Sequence, residues 1–175
     1  MKKIILITGG QRSGKSMYAE RLALSLTDQP IYFATARIWD EEFKERVKRH
    51  QARRGDNWTN IEEEKYLSHH TIYNKVCVVD CITLWCTNFF FDANQNNPKE
   101  PVIDEALDAI KKEFDQFTAQ DATFIFVTNE IGSGGVSDNV VQRRFTDMEG
   151  WMNQYVASKA DEVVLMVSGR PVKIK

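Results

Sequence analysis

The sequence predicts a single α/β domain spanning residues 1–175, with a mostly parallel sheet covered by helices on both faces. Three observations lead there. Short continuous apolar runs such as Ile4-Ile5-Leu6-Ile7 and Phe124-Ile125-Phe126-Val127 have strand length. Longer segments of helical period separate them, and strands that are apolar throughout belong to parallel sheets buried on both faces. The 175 residues are an ordinary size for one domain, and no internal repeat, low-complexity tract or linker divides them.

Each element has its own signal. Lys3–Ile7 reads as a buried strand. Ser16–Leu26 follows as a helix with Ala19, Leu22, Ala23 and Leu26 on one face. Ile31–Ala34, after Pro30, is a second strand. Asp40–Arg54 reads as a charged helix that Asp40 caps, with acids in its first turn. Val76–Val79 is a third strand, Ile82–Phe91 a largely buried segment, and the Asn- and Pro-rich stretch 92–101 a polar loop. Val102–Phe117 is amphipathic, with Ile103, Leu107, Ile110, Phe114 and Phe117 at three- and four-residue steps. Phe124–Val127 is a fourth strand, followed by flexible Gly132-Ser133-Gly134-Gly135. Asn139–Lys159 is a long helix, Val163–Val167 a fifth strand and Val172–Ile174 a short last one.

Composition narrows the function classes. With 23 Lys and Arg against 25 Asp and Glu, the net charge is −2, which speaks against a broad nucleic-acid-binding face. The apolar runs are too short to span a bilayer, and the first of them is too short for a signal-peptide core, so a cytoplasmic location is expected. The three cysteines, Cys77, Cys81 and Cys86, are odd in number and sit in apolar sequence, as buried free thiols in a reducing compartment do. No second pair of Cys or His at metal spacing accompanies them.

The strongest signal is Gly9-Gly10-Gln11-Arg12-Ser13-Gly14-Lys15-Ser16, a complete G-x-x-x-x-G-K-[ST] element between a buried strand and a helix. Glycines let backbone N–H groups turn inward around phosphates, and the helix start adds partial positive charge. Lys15 can reach the β- and γ-phosphates, and the Ser16 hydroxyl can hold Mg²⁺. The domain is therefore expected to have a P-loop NTPase fold. Asp80, at the tip of the apolar run Val76–Val79, reads either as the second Mg²⁺ ligand or as a helix cap. Glu130, in Thr128-Asn129-Glu130, is a second tip carboxylate that either serves substrate and water or caps structure. An Asn-Lys-x-Asp guanine-reading element and the protein-kinase loops are both absent, which leaves phosphoryl transfer to a small molecule.

Within Asp40–Arg54, Phe43, Val47 and His50 fall at i, i+4 and i+7, so His50 shares the apolar face. Lys48, Arg49, Arg53 and Arg54 would disfavour the imidazolium, keep the ring neutral and attract a polyphosphate. His50 reads either as a packed histidine or as a covalent nucleophile, and His69-His70 as surface.

Together these landmarks resemble the bifunctional adenosylcobinamide kinase/adenosylcobinamide-phosphate guanylyltransferase family of cobalamin biosynthesis. The matching stretches are Thr8 through Ser16, Tyr32-Phe33-Ala34-Thr35-Ala36, Arg46 through His50, Trp58 with Glu62-Glu63, Asp80-Cys81-Ile82-Thr83, Val127 through Gly132, and Val167 through Lys175. The resemblance implies a homotrimer that phosphorylates adenosylcobinamide with ATP or GTP. It then transfers GMP from GTP to the new phosphate through a GMP-histidine intermediate on His50. It also implies nucleotide contacts at Gly9, Gly10, Gln11, Arg12, Ser13, Gly14, Lys15, Ser16, Thr35, Ala36, Arg37, Gln51, Ala52, Arg53, Arg54, Glu62 and Asp80, with Mg²⁺ on Ser16 and Asp80. Two rivals stay open: a monofunctional P-loop kinase in which His50 only packs, and a nucleotide-dependent binding or switch protein.

Overall fold

The structure is a computed structural model and describes residues 1–38, 41, 45 and 54–175. Alternating strand and helix signals resolve into β1 (Lys3–Gly9), α1 (Lys15–Leu26), β2 (Ile31–Ala34), β3 (Thr59–Glu62), β4 (Val76–Asp80) and α2 (Ile82–Ala93). These are followed by α3 (Asp104–Phe117), β5 (Thr123–Val127), α4 (Val140–Lys159), β6 (Glu162–Val167) and β7 (Arg170–Lys173). The predicted helix Asp40–Arg54 lies almost wholly outside the described residues, and so does His50.

One seven-stranded sheet runs in the order β3-β2-β4-β5-β1-β6-β7. Every neighbouring pair is parallel except β6 and β7, which form an antiparallel hairpin. Parallel strands put all their C-terminal ends on one edge, where ligands bind in open α/β sheets. Gly9, Ala34, Glu62, Asp80, Val127 and Val167 are those ends.

The period-2 alternation of the strands feeds two cores. Ile4, Leu6, Phe33, Cys77, Val79, Phe124 and Phe126 face α2, α3 and α4. Ile5, Ile7, Tyr32, Val78 and Ile125 face α1 and Trp58. All five apolar positions predicted for α3 are buried. On α1 the buried stripe is Ala19 and Ala23, whose small side chains let the helix sit close to the sheet. Leu26, expected on that stripe, is 50% exposed because the last turn runs out past it.

Several boundaries shift for local reasons. Helix α4 begins at Val140 because Asn139 is its N-cap, its side chain accepting the Gln142 N–H at 3.0 Å. Helix α2 extends through Ala93, into the stretch expected to be loop, where Asp92 is held by Arg37 and Lys65. The 132–134 stretch forms a single 3₁₀ turn. The thiols of Cys77, Cys81 and Cys86 are free and buried. His69 is exposed and stacks on Tyr66, as a surface residue can. His70 departs from expectation: it packs edge-on against Phe33 and lies 3.5 Å from Glu63. No helix among the described residues is long and apolar enough to cross a membrane.

Candidate active site

The loop between β1 and α1 is built as an anion cradle. Gly9 has φ +150°, and a Cβ there would lie 2.5 Å from the Met166 carbonyl oxygen; Gly14 has φ +97° and abuts Gly169. Neither position accommodates a side chain. Arg12 also adopts a positive φ of 57°, so the backbone N–H groups of the loop turn in a way ordinary strands forbid. Gly14 caps α1 without any side-chain cap, and the first turn of α1 holds no acid. The helix start therefore keeps its unpaired N–H groups and its partial positive charge for an incoming anion. Ser13 Oγ, inside the loop, is buried without a hydrogen-bond partner, as expected where a phosphate oxygen belongs.

Lys15 is 7% exposed, and its Nζ donates a 2.6 Å hydrogen bond to the Gly10 carbonyl oxygen. Burial lowers its pKa, while Cys81, Asp80 and Glu149 favour the charged form. The Cys81 thiol is itself pushed up to about 12 by burial, so near neutral pH it is uncharged and the counter-charge comes from the carboxyl groups, that of Glu149 only in part because burial raises it to about 7.

Asp80 ends β4 beside the tip of β2, in register with Ala34. Its Oδ2 accepts a 2.7 Å hydrogen bond from the Tyr32 hydroxyl. Burial, with Asp80 next in importance, pushes the Tyr32 pKa well up, so the phenol stays a donor. Ser16, Asp80 and the loop N–H groups offer hard oxygen ligands and anion contacts, a set that suits a Mg²⁺-bound polyphosphate. Among the described residues no cluster of three or more Cys, His, Asp or Glu forms a protein-only metal cage. Mg²⁺ is commonly held by one or two protein oxygens plus substrate phosphates, so the donor set fits it.

The residues after β2 are turned to scaffolding. Thr35 is fully buried; its hydroxyl donates to the Cys81 carbonyl and accepts the Cys81 N–H, joining the β2 and β4 tips. Asn88 of α2 donates to the Thr35 carbonyl. Arg37 grips both oxygens of Asp92 and also Glu64 Oε2, and with Lys65 it holds the Asp92 carboxyl down to about 2. Ala36 is half-buried between them, and Glu62 lies exposed at the β3 tip, opposite Ala34. Glu130 is exposed, and its backbone N–H donates to the Gly9 carbonyl, which puts it beside the loop.

Arg54 points inward. Its side chain is 2% exposed, with the guanidinium 3.5 Å from the centroid of the Tyr32 ring and Nε donating to Asn60 Oδ1 at 2.9 Å. Gln51, Ala52 and Arg53, like His50, lie outside the described residues. Sequence reasoning named the loop, Asp80 and Arg54 but missed Tyr32 and Glu149. Strand alternation sends Tyr32 to the α1 face, two residues before the tip, and that position was its available signal. Glu149 is fully buried on α4, four residues after Phe145 and three before Met152, so helical spacing alone places it on the apolar face.

The sequence has relatives along nearly its whole length. A family model described as cobinamide kinase / cobinamide phosphate guanyltransferase matches residues 5–174. The bifunctional adenosylcobalamin biosynthesis protein CobU of Escherichia coli is 38% identical, over 98% of this chain and 99% of its own. Its namesake in Salmonella typhimurium is 37% identical over the same shares, and CobP of Pseudomonas aeruginosa 34% identical over 97% and 96%. A type III secretion ATPase structure aligns with a TM-score of 0.56 at 12% identity, covering 93% of this chain and 50% of that one, which shows the shared P-loop α/β fold. The chain belongs to the cobinamide kinase / cobinamide phosphate guanyltransferase family, a family of transferases.

Proposed function

We propose that both activities of the family run on one phosphate loop in this chain, and that GMP passes through a covalent intermediate on His50. The observation that carries this reading is the cradle itself: a collision-limited glycine loop, an uncapped helix start and Lys15, whose charge Asp80 favours. In the kinase reaction the hydroxyl oxygen of adenosylcobinamide attacks the γ-phosphorus of ATP or GTP, the P–O bond to the β-phosphate breaks, the nucleoside diphosphate departs and the hydroxyl proton is released to solvent. Lys15 and the loop N–H groups meet the charge on the departing oxygens, so most of the catalysis is alignment and electrostatics.

In guanylyl transfer a neutral imidazole nitrogen of His50 attacks the α-phosphorus of GTP. The P–O bond to pyrophosphate breaks, and the leaving charge falls on the same cradle. A phosphate oxygen of adenosylcobinamide phosphate then attacks that phosphorus. The P–N bond breaks, its electron pair returns to the imidazole, and adenosyl-GDP-cobinamide is released. Mg²⁺ held by Ser16 and Asp80 would supply Lewis-acid charge to the phosphate oxygens. Three buried free thiols support a reducing, cytoplasmic setting. The homotrimer implied by the resemblance is part of the same proposal and is tested by sedimentation.

The deciding experiment is incubation with α-phosphate-labelled GTP and Mg²⁺, followed by peptide mass spectrometry. Label on His50 is the expected result. Turnover of the kinase substrate without any protein label would leave a monofunctional kinase in which His50 packs.

A further inference from the structure

A buried arginine is costly unless fully paired, and Arg54 is not. Its Nη1 has no hydrogen-bond partner and stands 3.9 Å from Glu20 Oε1 on α1, a long separation for an ion pair. Replacing such an arrangement with apolar side chains is often neutral or stabilising, so stability alone is a weak reason to keep it. What the arginine does make is geometry. Its guanidinium carbon sits over the Tyr32 ring, 3.5 Å from the centroid, while Trp58 meets the same ring edge-on at 5.9 Å. The ring so clamped delivers its hydroxyl to Asp80 Oδ2 at 2.7 Å. Asn60, on the edge strand β3, takes the arginine's Nε. Arg54 is also only four residues after His50 in the chain.

We propose that Arg54 and Tyr32 are positioning residues that hold the Asp80 carboxylate in one orientation and tie it to the segment carrying His50. The inference rests on the reading that Asp80 holds Mg²⁺ and His50 carries GMP. The stack gives each residue a separate task. The Tyr32 hydroxyl orients the carboxylate, as partners behind a metal ligand do, and losing such a partner typically costs about 10–100-fold in metal affinity or activity. The Arg54 guanidinium anchors the chain where it leaves the His50 segment, so guanylyl transfer should depend on it more than phosphorylation does.

The test uses Tyr32→Phe and Arg54→Lys in the full-length chain. Phe keeps the ring that Arg54 covers and removes only the hydroxyl. Lys keeps the charge but loses the planar, forked group. Mn²⁺ binding to the protein with a non-hydrolysable GTP analogue, read by electron paramagnetic resonance, should weaken about tenfold or more in Tyr32→Phe. In Arg54→Lys, His50 labelling by GTP should fall about tenfold further than the kinase rate. Unchanged Mn²⁺ affinity in Tyr32→Phe would overturn the first half. Parallel loss of both activities in Arg54→Lys, with a lowered melting temperature, would overturn the second and leave a purely structural strut. If the wild-type protein takes no label from GTP, the His50 reading itself fails and the anchoring half with it. The Mn²⁺ measurement still decides the link from Tyr32 to Asp80.

Discussion

Lys15 closes its own loop by donating to the Gly10 carbonyl, five residues back across the turn. A nucleotide must exchange that 2.6 Å contact for phosphate oxygens, so the lysine is preorganised close to its working position. Removing one preorganised cationic contact costs on the order of 10²–10³ in rate. Lys15→Ala should therefore depress phosphorylation and guanylyl transfer together. Steady-state rates for each reaction check this, and one activity near the wild-type level would show that the two do not share the loop.

Asp80→Asn keeps an oxygen able to accept from Tyr32 and removes the charge. The fold should persist, because Asp80 stands at a partly exposed strand tip outside either apolar cluster. Charge-assisted contacts are worth roughly 1.5–3 kcal/mol, so half-maximal activity should need at least about tenfold more Mg²⁺. A Mg²⁺ titration that overlays the wild type would reassign Asp80 to capping.

The loop, Asp80 and the α3 face were legible because each rests on local sequence: a motif in its strand–helix context, a tip carboxylate, a 3.6-residue period. Strand β3 was not, since Thr59–Glu62 carries only Ile61 as an apolar residue and pairs with β2 on one side alone. The edge of a sheet needs no buried run to form. Strand β7 was placed two residues late because its signal is the turn rather than the strand. Ser168 and Gly169 both have positive φ, which is the tight hairpin geometry that brings Arg170–Lys173 back onto β6. The inward turn of Thr35 and Arg54 was illegible for another reason: the partners Cys81, Tyr32 and Asn60 are brought in by sheet order, which no local pattern encodes.

Glu149 offers a test in pH. Burial, with Glu130 adding to it and Thr83 and Lys15 opposing, raises its carboxyl from 4.5 to about 7. The Thr83 hydroxyl lies near it, yet neither carboxylate oxygen has a partner in full hydrogen-bond geometry. A carboxyl whose folded pKa is raised binds more protons in the folded state, so stability falls as pH rises from the unfolded value through the folded one. The loss should build between about pH 4.5 and 7 and level off above, reaching on the order of 3 kcal/mol. Glu149→Gln cannot ionise and should escape it. Urea denaturation of both proteins at pH 5 and pH 8 measures the effect; a difference between them independent of pH would show that Glu149 is not the titrating group.

His50→Asn separates the two reactions most sharply. The substitution removes the attacking nitrogen and keeps a polar side chain of similar reach. Covalent GMP labelling should vanish, and guanylyl transfer should fall with it. Phosphorylation of adenosylcobinamide uses no protein nucleophile, only alignment and charge at the loop, so it should survive. The wild-type reaction carries a further signature. An ordinary imidazole titrates near about 6.5, so labelling should weaken in acid as the lone pair is taken by a proton. A phosphoramidate formed on His50 should hydrolyse in acid and persist in base, unlike a phosphate ester on Ser or Thr. Label retained in the variant and mapped to another residue would defeat the assignment. Equal loss of both activities with a lower melting temperature would make His50 a packing residue, and the nucleophile would have to be sought elsewhere.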